Sequence, residues 1–243
     1  MPPGADIAGN LARVRRRLDA AAQRARRPPG DITLIAVSKT FSADIVRAAA
    51  AAGQRQFGEN RVQEALDKIT ALHDLSIEWH LIGHLQSNKA KKAAESFDAI
   101  QSVDRMELLP RLSAGAAGRP APLSVLLQVD LAHEATKHGA DEGALPDLVR
   151  AAIGTPGLDV RGLMIVPPWA EDPELSRPWF RRLRELRDRL VGQGFPTERL
   201  RELSMGMSHD FEVAVEEGAT IVRVGTAIFG VRSSPEPHAP GGQ

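Results

Sequence analysis

The amino-acid sequence predicts an α/β fold, a single TIM-type (β/α)8 barrel with an extra N-terminal helix. Three observations lead there. Short β-type runs recur eight times, with stretches of helical periodicity between them. Several runs are apolar at both parities, as strands covered on both faces are, so helical crossovers should join parallel strands. The length of 243 residues is ordinary for one such barrel and can bury a large core. Periodicity does not separate a closed barrel from an open, doubly wound sheet, which is the alternative architecture.

The elements follow in order. Residues 5–26 form the extra helix: Ile7, Leu11, Val14 and Leu18 make one stripe, and Asp6 and Asp19 interrupt the basic run of a transit peptide. The strands are read at residues 32–38, 56–58, 79–83, 99–103, 123–130, 160–166, 202–205 and 220–224. Side-chain caps are expected to start several helices: Ser42, Asn60 with Gln63, Asp104 with Glu107, and Ser208. In residues 181–189 arginines interleave with Glu185 and Asp188, while Phe180, Leu183, Leu186 and Leu190 recur at helical spacing. That is the pattern of a helix with a solvated face. Residues 1–232 are assigned to the barrel, and the Pro/Gly-rich residues 233–243 to a flexible C-terminal tail.

Composition removes whole classes of function. Lys and Arg number 31 and Asp and Glu 31, so no global field draws the chain to nucleic acid or an anionic membrane, and neither partner is expected. No apolar stretch is long enough to cross a bilayer, and the N-terminus lacks a signal-peptide core; a cytoplasmic protein, acting as a monomer, is the expectation. The absence of cysteine removes disulfides, thiolate metal sites and cysteine nucleophiles together. His80 and His84 are four residues apart, a spacing that aligns ligands only on a helix, whereas this stretch reads as a strand leaving into a loop. No metal site is expected. His209 and Asp210 beside Ser208 share only composition with a catalytic triad, and capping accounts for them better.

Six lysines stand against twenty-five arginines, and one of the six, Lys39, closes the apolar first strand. An amine has been kept where a guanidinium is the compositional default, and only the amine can form a Schiff base with a carbonyl. A barrel places its reactive groups at the strand C-termini, where Lys39, Glu59, Asn60, Gly83 and Asp130 fall. Beyond the eighth strand, Gly225 and Thr226 open a short helix, and beyond the seventh comes Ser204-Met205-Gly206-Met207-Ser208. Two hydroxyl and glycine loops converge there as a phosphate cradle. The Gly225 to Gly230 spacing matches a P-loop, but Val231-Arg232 replaces the Lys-Ser/Thr that nucleoside triphosphates require. A reactive lysine, an anion cradle and Arg223 beside it together point to pyridoxal 5′-phosphate. Arg223 cannot readily protonate a pyridine nitrogen, so the ring would be a weak electron sink, and aminotransferase or decarboxylase chemistry is disfavoured. A Schiff-base aldolase-type barrel holding a sugar phosphate is the alternative without cofactor.

Several blocks between Leu11 and Gly230 resemble, in order, the YggS/PROSC family of pyridoxal-phosphate homeostasis proteins, which share the barrel of the alanine racemase N-terminal domain. They are Ala36-Val37-Ser38-Lys39-Thr40, Phe57-Gly58-Glu59-Asn60 with Val62-Gln63-Glu64, Trp79-His80-Leu81-Ile82-Gly83 with Leu85-Gln86-Ser87-Asn88-Lys89, Gly162-Leu163-Met164, and residues 203–208 and 222–230. The resemblance implies that Lys39 bonds the cofactor covalently, Asn60 lies by its ring, Arg223 approaches the pyridine nitrogen, and Ser204, Gly225 and Thr226 hold phosphate. Departures are modest: His84 stands where proline is common, and Phe41-Ser42-Ala43 follows Lys39 where a Lys-Pro pair is common. The family is regarded as non-catalytic, supplying cofactor to apo-enzymes and influencing vitamin B6 and amino-acid balance. In the related two-domain racemases the second acid/base is a tyrosine from an additional domain; this chain is expected to end soon after its eighth strand, and it contains no tyrosine. A weak one-base racemase is the alternative function.

Overall fold

The computed structural model describes residues 6–132 and 138–230. The tail assigned to residues 233–243 lies outside the described residues, as do Val231 and Arg232. Eight parallel strands close into a barrel in sequence order, which decides against the open sheet. They are β1 (Thr33–Val37), β2 (Gln56–Glu59), β3 (Glu78–Leu81), β4 (Ala99–Val103), β5 (Leu123–Gln128), β6 (Leu158–Met164), β7 (Glu202–Met207) and β8 (Ile221–Val224). The ring closes where β8 pairs with β1, with Ile35 opposite Arg223 and Ala36 opposite Val224.

Alternation sorts each strand into an outer and an inner row. The outer row, which includes Leu34 and Ala36, packs with the helices into the main core. Ile35, Leu126, Met164 and Ile221 form a separate apolar cluster, the inner row's floor. Around the barrel run α2 (Ala43–Ala51), α3 (Val62–Ala71), α4 (Ala90–Ser96), α5 (Leu109–Ala116), α6 (Leu145–Ile153), α7 (Arg177–Gly192), α8 (Phe211–Glu216) and the single turn α9 (Thr226–Phe229). The extra helix α1 (Ile7–Arg24) buries Ile7, Leu11, Val14 and Leu18, and the Asp6 carboxylate caps it by accepting from the Gly9 amide at 2.8 Å. No helix among the described residues is long and apolar enough to cross a membrane.

Two local expectations are corrected. None of Ser42, Asn60, Asp104 and Ser208 caps, through its side chain, the helix that follows it in the chain: the first position of α3 is preceded by Arg61, and that of α8 by Asp210. The arginines of α7 do more than solvate a face. Arg177, Arg181 and Arg184 converge within 3.2 Å of the buried Glu217, while Arg182 and Arg189 share Glu142. A guanidinium reaches an internal carboxylate while its stem covers apolar surface, so charge density alone does not identify a solvated face.

Candidate functional site

Continuing the alternation of β1 past Val37 puts Ser38 on the outer parity and Lys39 on the inner one, at the C-terminal mouth of the barrel. Lys39 is half-buried there. It sits in a tight turn closed by the Phe41 amide donating to the Ser38 carbonyl at 3.1 Å. The next residue, Thr40, has φ of 70°, a left-handed conformation rare for a β-branched side chain. Local strain is therefore stored beside the lysine.

That turn is braced from behind. Glu59, on the outer parity of β2, accepts from the Ser38 hydroxyl at 2.6 Å and from Lys68 of α3 at 2.7 Å. Lys68 also donates to the Ser38 carbonyl and to Glu64, both at 2.8 Å, and Glu64 in turn accepts from the Thr40 amide at 2.5 Å. All three ammonium donors of Lys68 are thus committed. Burial pushes the Glu59 carboxyl up, against the opposing hydrogen bonds from Lys68 and Ser38.

Inside the barrel a second network crosses from β8 to β3. Arg223 is buried and donates to the Ser204 hydroxyl at 2.6 Å and to the Ile165 carbonyl at 2.8 Å. The Ser204 hydroxyl donates to Gln101 at 2.6 Å, and the Gln101 amide meets His80 Nδ1 at 3.1 Å. His80 Nε2 lies 3.1 Å from a Glu78 carboxylate oxygen, close enough for charge attraction but outside hydrogen-bond alignment. No carboxylate lies within ion-pair distance of Arg223 among the described residues. Burial lowers its pKa to about 10, Asp210 opposing, so it remains a cation at neutral pH.

At the two loops expected to hold phosphate, the hydroxyl that meets the loop amides is that of Ser208. Ser208 Oγ accepts from the amides of Gly225 and Ala227, at 3.1 and 3.3 Å, so these donors converge on one oxygen. Thr226 begins α9 between them. Ser204 is fully buried lower in β7, and its hydroxyl is held by Arg223 and Gln101, not by the loop. Gly225 packs against β1: a Cβ there would lie 3.3 Å from the Val37 carbonyl oxygen. Lys39 thus follows β1, while Arg223 lies on β8, the strand paired with β1, and Gly225 and Thr226 come directly after it. Asn60 extends the inner row of β2, and a Cβ on Gly83 would come within 2.3 Å of its carbonyl oxygen, so that close approach requires glycine.

Sequence reasoning did not single out Lys68 or Gln101, weighed His80 only as a metal ligand, and named Ser208 both as a helix cap and within the loop expected to hold phosphate. Inner-row parity was a usable signal for His80 and Gln101, because polar residues at inward positions of otherwise apolar strands need internal partners.

The chain matches the sequence profile of "Alanine racemase, N-terminal domain" over residues 9–233. It is 47% identical to the pyridoxal phosphate homeostasis protein of Pseudomonas aeruginosa over 227 residues, covering 93% of this chain and 96% of that one. It is 45% identical to the protein of that name from Aquifex aeolicus, over 91% and 96% of the two chains. Among solved structures, PipY of Synechococcus elongatus with pyridoxal phosphate bound superposes with a TM-score of 0.80 at 43% identity, over 93% of this chain and all of that one. Alanine racemase from Corynebacterium glutamicum shares the fold at a TM-score of 0.70 and 18% identity, and this chain spans 61% of its length. A match that spans nearly the whole length of these homeostasis proteins, on a closed barrel of the racemase type, makes this chain a member of the pyridoxal phosphate homeostasis protein family.

Proposed function

We propose that this protein binds pyridoxal 5′-phosphate at the barrel mouth, holds it as a Schiff base on Lys39, and carries or buffers it for apo-enzymes as a monomer. The observation that carries this reading is that Lys39 follows β1 while the cationic Arg223 and the paired Gly225 and Ala227 amides belong to β8, the strand hydrogen-bonded to β1, and the loop after it. The residues fit the group. Two of the five N–H donors of Arg223 are used on neutral oxygens, which leaves capacity for an uncharged ring nitrogen. The 225–227 loop already presents two N–H groups to an oxygen, as a phosphate requires. When bound, the cofactor supplies an aldehyde for the lysine and a ring that can delocalise negative charge.

Lys39 provides the amine, and its braced turn fixes where that amine stands. Arg223 orients the ring edge and, as a cation far from its pKa at neutral pH, withholds the proton that would make the ring a strong electron sink. Gly225 and Thr226 hold phosphate together with Ser208, while Ser204 acts through Arg223 by fixing its guanidinium. Asn60 lines the ring. The sequence also lacks a tyrosine to serve as a second acid/base, which favours a carrier over a racemase.

The test is a visible spectrum of the purified protein with added pyridoxal 5′-phosphate, then borohydride reduction and peptide mass mapping. A reduced pyridoxyl group on Lys39, absent in Lys39→Ala, is expected. Unmodified Lys39 at saturating cofactor would overturn the reading, and rapid Lys39-dependent racemisation of a free amino acid would replace carrier by enzyme.

A further inference from the structure

Three loops at the C-terminal face bring together side chains that the cofactor site does not use. His84 follows β3, Asp104 follows β4, and His138 lies beyond β5. One ligand atom from each falls within 4.8 Å of the others. The two imidazole rings stack with centroids 3.5 Å apart and planes 16° from parallel, and His84 Nδ1 lies 3.6 Å from Asp104 Oδ2.

The backbones that carry these groups are pinned. Gln128 donates its side-chain amide to the His138 carbonyl at 2.6 Å and accepts from the Ala140 amide at 2.8 Å, while Asp130 donates to the Ala140 carbonyl at 3.0 Å. Arg105 holds Asp104 Oδ1 at 2.5 Å and also donates to the Leu85 carbonyl at 2.9 Å, the residue after His84. One guanidinium thus orients the carboxylate and tethers the neighbouring loop, the part an outer-shell residue plays at a metal site. It also leaves Oδ2 facing His84.

We propose that His84, Asp104 and His138 bind a divalent transition-metal ion of the zinc class, with water completing the coordination. Two imidazoles and one carboxylate select Zn(II), Ni(II) or Cu(II) over magnesium or calcium, which take oxygen ligands. Neutralisation of Asp104 by Arg105 strengthens that bias, since little net negative charge remains to attract a hard cation. A tetrahedral zinc with bonds of about 2.0–2.1 Å spaces its ligands roughly 3.3–3.5 Å apart, and rotation of the two exposed rings supplies the difference. The ion would tie the loops after β3, β4 and β5 together.

The experiment is calorimetric titration of the full-length, chelator-treated protein with Zn²⁺, repeated with Mg²⁺ and on His84→Ala, His138→Ala and Asp104→Asn. One zinc per chain and no magnesium heat are expected, with each histidine variant weakening zinc at least about tenfold. Both histidines are exposed, so circular dichroism should report folded variants. A visible band of tetrahedral character on loading with Co²⁺, lost in the same variants, gives a second readout. No zinc binding by the folded wild-type chain, or zinc binding unchanged in both histidine variants, overturns the proposal.

Discussion

The Lys68 ammonium lies 2.7 Å from Oε1 of Glu59, a carboxylate with no solvent exposure, and the pair stands directly behind the turn that carries Lys39. Removing one member of a buried pair leaves the other charge uncompensated. Lys68→Met should therefore cost about 3–5 kcal/mol in urea unfolding, and adding Glu59→Gln should restore part of that. With the lysine gone, the Glu59 pKa rises further. The folded protein then keeps a proton that the unfolded chain has lost, so the variant should lose stability as pH rises above the ordinary carboxyl range. A single-variant loss below about 1 kcal/mol would sink the idea that the pair braces the turn.

Thr40 invites a stabilising change. A β-branched residue at φ of 70° carries roughly 1–2 kcal/mol of strain, and asparagine tolerates this region better. Because Thr40 is exposed and its amide, not its side chain, bonds Glu64, Thr40→Asn keeps the bracing contact. A gain of about 1 kcal/mol corresponds to a Tm higher by roughly 2–4 °C at this chain length, readable by calorimetry. An unchanged or lower Tm would mean that the threonine side chain contributes more than its backbone strain costs.

The cluster on Glu217 sets an acid limit. Burial pushes its carboxyl up, but hydrogen bonds from Arg181 and Arg177 and the charge of Arg184 outweigh burial and hold it below its ordinary value; Glu216 is lowered by Arg177 and Arg24 in the same way. Carboxylates with lowered folded-state pKa values contribute stability that is complete above their unfolded values and is lost as pH falls through the folded ones. Unfolding free energy should therefore drop below pH of about 4.5, and the drop should be shallower in Glu217→Gln. That variant should itself cost about 1–3 kcal/mol at neutral pH, since three partly exposed arginines lose charge-assisted contacts with a buried carboxylate.

The barrel was legible because each of its eight strands carries its own apolar signal and each helix its own stripe, so no long-range information was needed to count them. The residues flanking Lys39 and Arg223 were legible for the same reason, being continuous with strand ends. Lys68 was not, because a lysine inside an amphipathic helix is normally solvated, and only the closure of β2 on β1 reveals the carboxylate it meets. Ser204 and Ser208 are four residues apart, and sequence could not tell which hydroxyl faces the 225–227 amides. The irregular register between β7 and β8 sends Ser204 inward and leaves Ser208 at the loop.

Ser204 offers the sharpest test of that division. Its hydroxyl both accepts from Arg223 and donates to Gln101, so Ser204→Ala leaves a buried guanidinium donor and a buried amide oxygen without that partner. The cost should be about 1–3 kcal/mol of stability. If Ser204 acts only through Arg223, phosphate affinity should survive in the variant while the visible spectrum of bound pyridoxal 5′-phosphate shifts, because the ring contact rather than the anion contact is disturbed. Ser208→Ala should show the converse: weaker phosphate and cofactor binding, with the spectrum of the remaining bound fraction unchanged. Titrations of both variants with inorganic phosphate and with the cofactor separate the two roles. Loss of phosphate binding in Ser204→Ala, with none in Ser208→Ala, would return Ser204 to the cradle.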